Sequence, residues 1–70
     1  GEVRAARKEL ARLERQLEKL RERESKVYAE MAAAASDHQR VLGLDAALRG
    51  LRDERAVMED RWLELADQVD

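Results

Sequence analysis

The sequence predicts an all-α fold, a two-helix antiparallel coiled-coil hairpin, on three observations. Apolar residues recur at alternating spacings of three and four along two segments, a short stretch without large apolar residues separates the segments, and the 70 residues include no Pro. The composition agrees: 43% of residues are charged, much of the 44% hydrophobic fraction is Ala, and Tyr28 and Trp62 are the only aromatics. Such a chain lacks the bulky side chains that fill a globular interior, and its wealth of Ala, Glu, Lys, Leu and Arg favours long helices.

The first seam runs Val3, Ala6, Leu10, Leu13, Leu17, Leu20, Val27, Met31 and Ala34, interrupted only by Glu24. This predicts helix 1 over about residues 2–34. From Ala32 to His38 the large apolar residues disappear, which predicts a turn at about 35–37. Ser36 followed three positions later by Gln39 has capping-box spacing, and Asp37 competes as the cap with a charge suited to a helix N-terminus. The second seam, Val41, Leu44, Leu48, Leu51, Met58, Trp62, Leu65 and Val69 with Arg55 as its charged member, predicts helix 2 over about 38–68. So short a connection folds the helices antiparallel, giving a rod roughly 45–50 Å long at 1.5 Å per residue. Seam layers then pair residues whose numbers add to about 75 or about 82, and the turn chemistry favours the first. Either register sets Glu24 and Arg55 in adjacent layers, where they are expected to partner each other and fix the alignment.

The same counts exclude much. With no Cys there is neither a disulfide nor a thiolate metal site, and a lone His38, read as a solvated helix-start residue, cannot build a His-rich one. No apolar run approaches the 18 or so residues of a membrane span, and no signal-peptide pattern is present, so a cytoplasmic location without membrane contact is expected. No phosphate-binding glycine loop, metal-ligand spacing or nucleophile with a base occurs, so no catalytic or metal-ligating residue is assigned and no enzyme activity is expected of these residues. The chain opens on Gly1 rather than Met and reads as a single helical hairpin, 1–70, cut from a larger protein.

Charge distribution is more informative than net charge. The formal charge of −2 combines +3 over residues 1–26 with −5 over residues 27–70. On the heptad, Arg4, Lys8, Arg12, Arg15, Lys19 and Lys26 fall on the side of helix 1 facing away from the seam. Arg4, Lys8 and Arg12 stand four apart, as do Arg15, Lys19 and Arg23, and like charges at that spacing repel. Such a row suits a phosphate backbone, contacted for affinity rather than sequence, while the bland alternative is that helix 1 is basic in order to attract acidic helix 2. Trp62, at a seam position, is expected to pack in the core. On helix 2, Leu42, Gly43, Gly50, Val57 and Leu63 form an apolar stripe outside the seam, a candidate protein interface with a partner or with a second copy as a homodimer.

The string RKELARLERQLEKL at 7–20, the small-residue turn and the closing EDRWLELAD at 59–67 together resemble the C-terminal coiled-coil domain of ABC-F ATPases, most nearly that of the Uup type. The chain departs from many members in having no Pro in the turn. The resemblance implies a non-catalytic nucleic-acid-binding appendage, with DNA or ribosomal RNA as ligand and Arg4, Arg7, Lys8, Arg12, Arg15 and Lys19 as the contact residues. It also implies a cytoplasmic parent whose ATP-binding cassettes hydrolyse ATP and act on the ribosome in translation, the hairpin itself carrying no cofactor. The alternative reading is a structural protein-protein interaction or dimerisation coiled coil.

Overall fold

The computed structural model describes residues 1–69 and shows two helices, α1 (Glu2–Ala33) and α2 (His38–Val69), folded into an antiparallel hairpin of 54 × 15 × 13 Å. The all-α hairpin expected from the seams is the observed fold. Glycine takes no part in the turn, and no residue among those described has a positive φ. Ala34 closes α1 by donating its N–H to the Glu30 carbonyl at 2.9 Å, and the Asp37 N–H bonds back to the Ala34 carbonyl at 2.8 Å. The choice between the two caps falls on Asp37, whose Oδ1 accepts the Arg40 N–H at 3.2 Å. Asp37 immediately precedes the first helical residue, so Ser36 stands one position too early to reach the same donors.

Along α1 the seam is buried at Ala6, Leu10, Leu13, Leu17, Leu20 and Glu24. On α2 Leu48 and Leu65 reach full burial, while Leu51, Met58 and Trp62 are half-buried. Ala6, Leu10, Leu13 and Leu65 form one cluster, with Met58, Trp62, Ala66 and Val69 packed on it. That cluster identifies the register. Ala6 is 3% exposed with Val69 against its cluster, which requires facing residues to add to about 75. The other alignment would leave Ala6 facing none of the described residues. The same register accounts for Val3, a seam position that is 46% exposed: none of the described residues of α2 stands at its level.

Gly43 and Gly50 lie inside α2, and a Cβ built on either meets nothing within 4 Å. No close approach within the hairpin requires them. Replacing each by Ala is expected to stabilise the hairpin by about 1 kcal/mol, read as a rise in the urea midpoint with unchanged slope.

Candidate nucleic-acid interface

The outward side of α1 follows from its heptad. With Val3, Leu10 and Leu17 in one seam row and Ala6, Leu13 and Leu20 in the other, Arg4, Lys8, Arg12, Arg15, Lys19 and Lys26 turn away from α2, while Arg7 flanks the seam at the heptad position that Tyr28 also holds. Arg4, Arg7, Lys8, Arg12, Arg15, Lys19 and Lys26 are all exposed. From Arg4 to Lys19 the row extends roughly 22 Å along the helix.

Most of these cations have no ion-pair partner among the described residues. Arg12 alone among them has an ion pair among the described residues, with Glu9 at 3.6 Å on its own helix. The interhelical pairs have the opposite polarity from the segment charges: in each, the acid lies on basic α1 and the base on acidic α2. Glu24 pairs with Arg55 at 2.8 Å and with Arg52 at 4.0 Å, and Glu9 pairs with Arg61 at 3.3 Å. Among the described residues, no cation of the α1 stripe forms an ion pair with α2.

The pairs in and beside the seam are the polar organisation that segment charges do not reveal. Glu24 is 7% exposed. Its Oε1 accepts Arg55 Nη2 at 3.1 Å, and Arg55 Nη1 reaches Glu59 at 3.3 Å. The Arg55 Nε lies 2.8 Å from Glu24 Oε2 without hydrogen-bond alignment. The hydrogen bond from Glu24, then its charge, raises the Arg55 pKa against the opposing cost of desolvation. Arg61 is raised in the same direction by hydrogen bonds to Glu9 and Glu64. Next to Glu24, Arg52 donates to the Tyr28 hydroxyl and lies 5.6 Å from the centre of its ring. Heptad lettering carries the signal for these partners, since Glu9 and Arg61, and Tyr28 and Arg52, occupy equivalent seam-flanking positions on antiparallel helices.

Trp62 is half-buried against the core cluster and donates its indole N–H to Glu14 Oε1 at 3.3 Å. With Ala11, Arg15, Leu17, Arg21, Glu59 and Leu63 it lines an open groove between the helices beside the stripe. Three carboxylates, Glu14, Glu18 and Glu59, and two guanidinium groups, Arg15 and Arg21, border this groove, so it carries both signs and shares Arg15 with the basic face.

The second group of candidates lies on α2. Leu42, Val57 and Leu63 are 51%, 70% and 58% exposed, and Gly43 and Gly50 are exposed beside them. They occupy a different surface from the basic stripe, which belongs to α1. No grouping of His, Cys, Asp and Glu suited to a metal ion occurs among the described residues, and no helix is long and apolar enough to cross a membrane.

Comparison with known proteins places this arrangement in a family. No curated protein and no solved structure matched the chain. The family described as the ABC transporter C-terminal domain matches residues 3–67, the whole of the seam apart from its last residue and both outward faces. A hairpin with this seam, matched over nearly its full length, belongs to the ABC transporter C-terminal domain family.

Proposed function

We propose that this hairpin is the nucleic-acid-binding appendage of an ABC-F type ATP-binding protein of the Uup branch, acting on DNA or ribosomal RNA in the cytoplasm. ATP binding and hydrolysis belong to the parent's cassettes, and the hairpin contributes contacts rather than catalysis. The observation carrying this reading is the exposed row Arg4, Arg7, Lys8, Arg12, Arg15 and Lys19, which α2 leaves unneutralised. Keeping like charges four residues apart costs a few tenths of a kcal/mol per pair, and an external polyanion repays that cost.

The row suits phosphates better than base edges. Gln16 is the only side-chain amide on α1, and it is half-buried, so the face offers Arg and Lys on a straight rod and little for base-specific readout. Binding is therefore expected to be weak, indifferent to sequence and sensitive to salt. If about five phosphates are contacted on duplex DNA, the logarithm of the binding constant falls with the logarithm of salt at a slope of roughly −4 to −5. Fluorescence anisotropy of labelled duplexes across a salt series measures that slope. A flat response, or no binding at low salt, rules the reading out.

A further inference from the structure

The outward face of α2 carries a second row that the seam does not use. Asp53, Asp60 and Asp67 are exposed, follow one another every seven residues, and form no ion pair among the described residues. At 1.5 Å per residue their spacing is about 10.5 Å. Toward the turn the same face becomes apolar and small at Ala46, Gly43 and Leu42.

The outward face of α1 is its complement in the same axial order. Because facing residues add to about 75, Lys8 stands level with Asp67 and Arg15 with Asp60. Nearer the turn, exposed Ala29, Ala32 and Ala33 stand level with Ala46, Gly43 and Leu42. Two hairpins laid side by side in the same orientation would bring α2 of one against α1 of the next, antiparallel, with these levels preserved. Cations then meet aspartates over the half nearest the termini, and small residues meet small residues over the half nearest the turn, where glycine permits close approach of helices. Two levels are like-charged, Glu22 with Asp53 and Lys26 with Arg49; Lys19 lies one turn from the first, and Arg49 in the second is paired with Asp45 at 2.8 Å.

We infer that the acidic and apolar outward face of α2 docks on the basic outward face of α1 of a second copy of this chain. The contact joins two different surfaces and is head-to-tail, so association is open-ended rather than a closed dimer. It also places Lys8 and Arg15 where a polyanion would otherwise bind, making self-association and nucleic-acid binding competitive. The inference goes beyond the proposed function, and its test contains no nucleic acid, so each can fail without the other.

Sedimentation velocity at increasing protein concentration in low salt should show a weight-average mass that rises continuously and falls back at about 0.5 M salt, where surface charges are screened. Arg15→Glu and Asp60→Lys should each weaken association roughly five-fold, while the chain carrying both substitutions should recover it, since the pair is then reversed at every contact. Circular dichroism should show equal helicity in all variants, because both residues are exposed and outside the seam. A monomer at every concentration up to the millimolar range overturns the inference. So does a mass fixed at that of a dimer, or a double variant no better associated than the single ones.

Discussion

Replacing Arg55 by Leu is expected to lower the melting temperature of the hairpin by about 10 °C or more, although Leu is the residue a seam position would ordinarily hold. The reason lies in Glu24, which is 7% exposed and relies on Arg55 for its closest contacts, 2.8 Å and 3.1 Å to its two carboxylate oxygens. Without Arg55 the nearest cation is Arg52, whose Nε lies 4.0 Å away and whose Nη2 is engaged with Tyr28. A buried carboxylate is then left nearly uncompensated. Glu24→Leu is expected to be milder, because Arg55 keeps Glu59 at 3.3 Å and is itself only half-buried. The double variant, Leu at both positions, should melt at or above the parent temperature, since apolar residues pack in place of an ion pair at no desolvation cost.

What the double variant should lose is uniqueness of alignment. With an uninterrupted apolar seam, no buried ion pair resists sliding of one helix along the other, and distances between spin labels on the two helices should broaden beyond a single population. A single sharp population would show that the turn and Ala6 alone fix the register. Within the ordinary range of pH, Arg55 adds no pH dependence. Its pKa is raised in the folded chain, so its stabilisation is fully present below the usual guanidinium range and is lost only as pH rises through the raised value, in strong alkali.

The hairpin was legible because its seam is written in large side chains whose spacing tolerates no other period. What stayed hidden depended on the second helix. Val3 fits the seam by spacing, but its burial depends on what stands at its level opposite, and none of the described residues of α2 does. Ser36 and Asp37 both have capping chemistry, and the choice depended on a shift of one residue in the first turn of α2. The segment charges of +3 and −5 suggested that basic α1 attracts acidic α2, whereas among the described residues ion pairs between the helices form only in and beside the seam. There the polarity is reversed: Glu9 and Glu24 of α1 meet Arg61 and Arg55 of α2. The excess cations consequently face outward, and it is the three-dimensional arrangement, not the sum, that leaves them free for a ligand.

Reversing three of those outward cations together, Arg12→Glu, Arg15→Glu and Lys19→Glu, is expected to reduce duplex affinity at low salt by a factor of about a thousand or more, beyond the range of a practical titration. Neutralising them singly to Gln should weaken binding about equally for every duplex sequence and make the salt slope shallower by roughly 0.9 for each phosphate contact removed. Uniformity across sequences separates a phosphate-tracking face from one that reads bases, where the loss would concentrate on particular sites. The helix itself should survive, since all three residues are exposed and Arg15 and Lys19 repel each other at four-residue spacing. Arg49→Glu supplies the comparison on the other helix. Arg49 is 76% exposed but paired with Asp45 at 2.8 Å, so it contributes no free cation to a ligand. Its reversal should leave affinity nearly unchanged, even though it alters net charge as much as any single reversal in the stripe. Equal losses on both helices would mean that net charge alone governs binding, and the α1 face would then have no special role.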